Sequence, residues 1–402
     1  MTQEIPITII GGGVVGCAIA HELSKRTSLD IVVLERNPSV TRGENQSSRN
    51  SGVVHAGIYY PKATMPLKAG LCVKGNERLY DFCTRNEIPC QRTGKLVVAN
   101  DATDEKHLNE VLKIAHENGV CGEHISAADA ARLEPNVRCI SALFFPSSGV
   151  IDSAAFVRML KLQAESRGVS FIGNAPVTAI TADSDGFMVT PHSQEPFRTR
   201  TMINAAGLYS DCIAQMVNMT SSYEITPVRG EWARFYMTRD EIRMRGLNVY
   251  PAPYGIWPSG ERAHISFTDF QQLLAEGRIT RSIGIHLSPT FDLQDGRVVI
   301  GNTVIVGPTS QTVTDKEDYR SVRDEQYFLD RVRSYFPNLD KGDLGLHQSG
   351  IRAKLRRHPD FVIARDSQFP QCINLVGIDS PGFTCSLAIG NYVAEMVCDE
   401  HS

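Results

Sequence analysis

The feature that most constrains this chain stands at its start: an apolar run, Ile5-Pro6-Ile7-Thr8-Ile9-Ile10, passes directly into Gly11-Gly12-Gly13-Val14-Val15-Gly16 and then into the helical pattern Cys17 to Lys25. A G-x-G-x-x-G run between a strand and a helix is the fingerprint of a dinucleotide-binding turn. Gly11 permits the tight turn, Gly13 lets the backbone approach a pyrophosphate, and Gly16 lets the helix pack on the strand. The amides at the helix start, around Val14 and Val15, add anion affinity that the helix dipole reinforces. A second apolar strand, Asp30 to Leu34, ends at Glu35. At that spacing a carboxylate accepts the ribose hydroxyls of an adenosine and disfavours a 2′-phosphate. The motif does not separate FAD from NAD, because one geometry holds both.

Composition narrows the rest. A chain of 402 residues has room for two to three domains. With 42% hydrophobic and 21% charged residues and a net charge of -4, it has globular composition and no net attraction for nucleic acid, so a small-molecule substrate is the default partner. Ten cysteines occur without a C-x-x-C pair, which points to free thiols in a reducing setting. Met1 to Pro6 leads straight into a strand, which is read as leaving no room for a signal peptide, and no apolar run reaches the roughly 18 residues of a spanning helix. The expected location is cytoplasmic, or peripherally membrane-associated on the cytoplasmic side. No His-Glu-x-x-His, cysteine ligand set, Walker A run or G-x-S-x-G elbow occurs, so metal, nucleoside triphosphate and hydrolase chemistry have no support.

Further along, Asn37 to Ser51 is a long polar loop where an NAD domain would soon start another strand. Met65 to Asn86 and Asp104 to Asn118 have helical spacing, Gly94 to Ala99 is strand-like, and Ser126 caps a short helix. Ala154 to Arg167 is a helix followed by four short strands, the last running into Asn204-Ala205-Ala206-Gly207. Ile225 to Val313 reads mostly as antiparallel strands, Glu317 to Phe336 as a helix, Cys372 to Val376 as a buried strand and Ser386 to Asp399 as a helix. The expected fold is α/β: a discontinuous Rossmann-like FAD-binding domain (1–90, 145–220 and 345–402) with an inserted, mostly antiparallel α+β substrate domain (91–144 and 221–344).

This arrangement resembles the D-amino-acid oxidase and glycine oxidase superfamily. The run Asn50-Ser51-Gly52-Val53-Val54-His55-Ala56-Gly57-Ile58-Tyr59-Tyr60 is similar to the signature of the L-2-hydroxyglutarate dehydrogenase/oxidase family, and Gly149 to Asp152, Ala206 to Asp211, Val228 to Glu231 and Gly350 to Ala353 extend the likeness. The sequence departs from the family before Gly284, where about 20 extra residues around Trp257 to Arg281 are expected to cap the site differently.

The resemblance implies FAD, held by the glycine turn and Glu35 with Arg36, Ser48, Arg49, Asn50, Ser51, Gly52, Val177, Ala205, Ala206, Gly207, Gly350, Ser380, Pro381, Gly382, Phe383 and Thr384. It implies oxidation of a 2-hydroxy acid, with glycine, sarcosine or glycerol 3-phosphate as other substrates of the scaffold and a flavin-binding interaction protein as a non-catalytic alternative. The electron acceptor is left open among oxygen, a quinone and an electron-transfer protein. His55 is the expected base, since an imidazole titrates near neutrality; a covalent flavin tether and a structural turn are its alternatives. Arg352 matches the arginine that grips a substrate carboxylate, a role suited to its bidentate fork, or else it is a boundary ion pair. Lys354 shares its strand face and either holds a second anionic group or is solvated. Arg229 faces the flavin or braces the inserted sheet. Tyr59, Tyr60 and Tyr250 supply walls and hydroxyls or pack as core.

Overall fold

The computed structural model describes residues 4–42, 45–192, 194–259, 261–295 and 297–398, so Asp399 of the expected last helix lies outside the described residues. Two large sheets dominate. The first has eight strands, five of them parallel neighbours: Ser170–Ile172, Ile31–Leu34, Glu4–Ile10, Phe197–Asn204 and Cys372–Val376. An antiparallel pair, Val177–Asp183 and Gly186–Pro191, extends one edge, and Val362–Arg365 pairs with Cys372–Val376. Ile31–Leu34 and Cys372–Val376, buried along their length, read as the apolar runs seen in the sequence.

The helix of the glycine turn, Val14–Leu23, is buried almost throughout, and the C-terminal helix Gly382–Cys398 lies against it and against Pro66–Arg85. Glycine makes both contacts possible. A Cβ on Gly390 would stand 2.6 Å from the Ala18 carbonyl oxygen, and one on Gly75 would stand 2.3 Å from that of Thr384.

The second sheet has nine strands, antiparallel except where Asn248–Pro251 runs parallel to Lys95–Ala99. Its longest pairing joins Ile225–Tyr236 to Leu344–Leu355. A division at residue 345 therefore cuts a strand that is hydrogen-bonded along its length to the substrate-side sheet. The expected helix Glu317 to Phe336 is shorter, Glu325–Val332, with Asp324 accepting from the Tyr327 amide at its start. Residues before it are drawn into a loop by tertiary partners: Asp318 pairs with Arg229, and Glu231 accepts from the amides of Val322 and Arg323.

The extra segment folds as a hairpin, Tyr254–Ile256 with Thr280–Ser282, enclosing the helix Phe267–Ala275. Its small core is Ala263, Phe270 and Ile279. Two ion pairs fasten it to the helix Ala102–Glu117, Arg281 to Glu110 at 2.7 Å and Arg262 to Asp104 at 3.4 Å, and the His107 ring packs edge-on to Phe267 and Phe270.

Candidate active site

A cavity of about 990 Å³ lies between the two sheets. Gly11, Gly13, Val14 and Val15 border it. Gly11 sits at φ +106°, and a Cβ there would stand 2.4 Å from the Ala205 carbonyl oxygen, so only glycine keeps the turn against the strand end. Gly13 precedes the helix with no side chain of its own to cap it, and both it and the first helical residues Val14 and Val15 border the cavity. Gly16 stands behind the turn, where an added Cβ would be 1.9 Å from the Gly11 carbonyl oxygen. Its duty is packing, as its place in the motif implies.

Glu35 also borders the cavity. Its Oε2 accepts from the Gly12 amide at 2.8 Å, and its Oε1 accepts from both nitrogens of Asn37. A carboxylate has about four lone-pair sites, so acceptor capacity remains for a ribose hydroxyl. Arg36 lies over the Tyr209 ring and pairs with Glu317 at 2.8 Å. Val177, Ala205, Ala206 and Gly207 complete this end of the lining. Arg49 stacks on Tyr319 and donates to the Ser349 carbonyl, which ties the loop to the second sheet, and Asn50, Ser51 and Gly350 border the space beside it. Across from them stand Ser380, Pro381, Gly382 and Phe383 at the start of the C-terminal helix.

Four expected contacts lie off the cavity. Ser48 turns its hydroxyl to Asn45, and the neighbouring Ser47 instead accepts from the Val14 amide at 2.8 Å. Gly52 serves the turn at φ +67°, donating to the Asn50 side chain. Thr384 is buried, and its hydroxyl accepts from the His55 amide at 3.1 Å, so it positions His55. Arg229 takes the second of its two expected roles, the brace. It follows Val228, which borders the cavity, and strand alternation turns it to the opposite face. There it is 1% exposed and bonds Glu231, Asp318 and Gln311, bracing the loop that precedes the helix Glu325–Val332.

The reactive side chains converge from the second sheet and from the segment after Val53–Val54. Arg352 and Lys354 border the cavity from one strand, Lys354 at an exposed rim. Among the described residues, the one hydrogen bond of Arg352 runs from Nη2 to the Thr309 carbonyl oxygen at 2.6 Å, which leaves donors for a bidentate partner. Tyr59, Tyr60 and Tyr250 form walls, and burial pushes all three phenols above their usual range. Among the described residues the Tyr59 hydroxyl has no hydrogen-bond partner, and the Tyr250 hydroxyl faces Ser288. His55 Nε2 lies 3.4 Å from the Ser380 hydroxyl, and burial aided by Lys95 lowers its pKa to about 3, so its imidazole is neutral.

His286 went unremarked as a site residue in the sequence. It borders the cavity, stacks on Tyr250 at 3.8 Å, and lies 3.4 Å through Nδ1 from the Gly284 carbonyl oxygen. Burial lowers its pKa well below the ordinary value. Gln46 was also unmarked; its Oε1 accepts from the Ile351 amide at 2.6 Å, holding the flavin-side loop on the Arg352 strand. Beyond Lys354 at the rim, Arg356 pairs with Glu224.

A glycine turn that tolerates no Cβ at Gly11, an acidic strand end with spare acceptors, a second sheet presenting Arg352 and neutral His286, and neutral His55 from the segment after Val53–Val54 fit an FAD and a small substrate together. Fold and site define a flavin-dependent oxidoreductase. The profile described as "FAD dependent oxidoreductase" matches residues 6–396. The chain belongs to this family and, within it, to the L-2-hydroxyglutarate dehydrogenases: it is 32% identical to the mitochondrial L-2-hydroxyglutarate dehydrogenase of Arabidopsis thaliana, over 98% of this chain and 83% of that protein. To the enzyme of that name in Caenorhabditis elegans it is 32% identical, over 89% and 72% of the two chains. A glycerol 3-phosphate dehydrogenase of Caloramator mitchellensis is 28% identical, over 97% of this chain and 73% of that protein. Among solved structures, the FAD-bound L-alpha-glycerophosphate oxidase of Mycoplasma pneumoniae aligns with a TM-score of 0.81 at 23% identity, covering 98% and 95% of the two chains. Among the described residues no helix is long and apolar enough to cross a membrane.

Proposed function

We propose that this enzyme oxidises L-2-hydroxyglutarate to 2-oxoglutarate, with Arg352 holding the carboxylate beside the reacting carbon. The observation that carries this reading is a guanidinium facing the cavity with a single carbonyl partner, next to two imidazoles that burial keeps neutral. The likeness to dehydrogenases of that name supports the choice of hydroxy acid.

When bound, FAD takes up the hydrogen of the substrate carbon together with two electrons. The protein supplies the remainder. Arg352 fixes the carboxylate in one plane, which aims the carbon and excludes poses that differ by rotation. His55 accepts the hydroxyl proton as the carbonyl forms, and Ser380 beside its Nε2 orients the ring. Lys354 at the rim meets the distal carboxylate, and Tyr59, Tyr60 and Tyr250 close the walls against water.

The test is anaerobic stopped-flow absorbance of the holoenzyme with L- and D-2-hydroxyglutarate separately. Rapid flavin bleaching by the L form alone is expected. Bleaching by glycerol 3-phosphate, glycine or sarcosine and by neither hydroxyglutarate would overturn the substrate assignment. His55→Asn should slow bleaching by about 10²- to 10⁴-fold. An unchanged rate would move the base to His286, and flavin that stays with denatured wild-type protein but leaves the variant would make His55 a tether.

A further inference from the structure

We propose that Lys95 is a positioning residue for the anionic substrate: its buried ammonium stands behind the Tyr250 and His286 wall as a fixed positive charge whose counter-ion is the bound dianion. Lys95 opens the strand Lys95–Ala99 of the second sheet and is 1% exposed. No carboxylate among the described residues pairs with it. Its Nζ lies 3.8 Å from the centroid of the Tyr250 ring and 5.6 Å from that of Tyr59. Tyr250 in turn stacks on His286 with 11° between the rings. Tyr59, Tyr250, His286 and His55 all border the cavity, so the cation is one aromatic layer from it.

A buried ion without a partner is costly, and ring quadrupoles recover only part of that cost. The groups facing Lys95 bring no carboxylate: His55 and Tyr59 from the segment after Val53–Val54, and Tyr250 and His286 from their strands, are neutral near pH 7, and Cys72 from Pro66–Arg85 turns its Sγ to the His55 carbonyl oxygen at 3.7 Å. The remaining source of negative charge is a ligand in the cavity. Burial also lowers the pKa of Lys95 to about 7, so its charge fades as pH rises through neutrality.

The inference rests on the hydroxy-acid reading of the cavity, and its experiment keeps the two apart. The holoenzyme is titrated with 2-oxoglutarate, a dianion throughout, following the flavin absorbance from pH 6 to 9. Wild-type affinity should fall as pH passes about 7. Lys95→Met should bind about tenfold more weakly at pH 6, the size expected of one unit charge several ångströms away, and show no fall. Lys95→Arg, charged at every pH, should keep the affinity and also lose the fall, and it carries the test if Lys95→Met does not retain FAD. Lys95→Met binding like wild type with the same slope, or Lys95→Arg binding as weakly as Lys95→Met, would overturn the role of Lys95 alone. Absence of 2-oxoglutarate binding in all three proteins would overturn the substrate reading and this inference with it.

Discussion

Replacing Arg229 by methionine separates a brace from a substrate grip. The side chains of Arg229 and Glu231 are each 2% exposed, with Nε 3.2 Å from Oε1, and Asp318 lies 2.7 Å from Nη1. Removing one partner of such a pair leaves a charge buried and uncompensated, which costs about 3–5 kcal/mol. Unfolding entropy of about 2.1 cal/mol/K per residue makes 1 kcal/mol worth roughly 1.2 °C for a cooperative chain of this length. Arg229→Met should therefore lower the thermal midpoint by about 4–6 °C. Arg229→Met/Glu231→Gln should lose less than the single variant, because the stranded charge has gone. Thermal melts of the holoenzymes measure both, and KM for the hydroxy acid is read beside them. If Arg229→Met melts within about 1 °C of wild type while KM rises about tenfold, the guanidinium holds substrate and the brace is refuted.

Three further outcomes follow from the same geometry. Gly16→Ala puts a Cβ 1.9 Å from the Gly11 carbonyl oxygen, so helix and strand must part by on the order of 1 Å; the variant should purify largely without FAD, and a wild-type flavin spectrum would count against the packing duty. His21 and His107 are 2% and 4% exposed, and burial lowers their pKa values to about 3 and about 4. The unfolded chain binds more protons than the folded one below about pH 6.5, so stability is full above that value and falls as pH drops toward 4; a urea midpoint higher at pH 5 than at pH 7.5 would contradict this. Phe270→Ala empties the core of the extra segment at about 3–5 kcal/mol; proteolysis between 257 and 281 should quicken and KM should rise with FAD retained, and unchanged cleavage would sink the idea.

What the sequence disclosed follows the range of the forces involved. The glycine turn was legible because its constraints are local: Gly11 and Gly16 answer to backbone atoms within a few residues or on an adjacent strand. The apolar spacing of Phe328, Val332 and Tyr335 is real, yet the helix starts only at Glu325, because Arg229 and Glu231, far back in the chain, capture the residues before it. Arg229 stayed open between flavin and brace for want of register: one step from Val228 reverses the face, and only pairing with Leu344–Leu355 shows which face meets the cavity. His286 carries no local mark, since a histidine on a strand becomes a site residue only through what stands opposite. Lys95 is harder still, because its neighbours come from four separate segments.

The close seating of Gly382–Cys398 on Val14–Leu23 bears on how the enzyme is made. At roughly 5–20 residues per second, on the order of 20 to 70 s of synthesis separate the two helices. Until Gly390 settles over Ala18 and the start of the last helix reaches the cavity, the nascent glycine turn has lost one of its two supporting helices and one wall of its pocket. Flavin loading is thus coupled to the emergence of Gly382–Cys398: that helix must leave the ribosome before the cofactor can be enclosed.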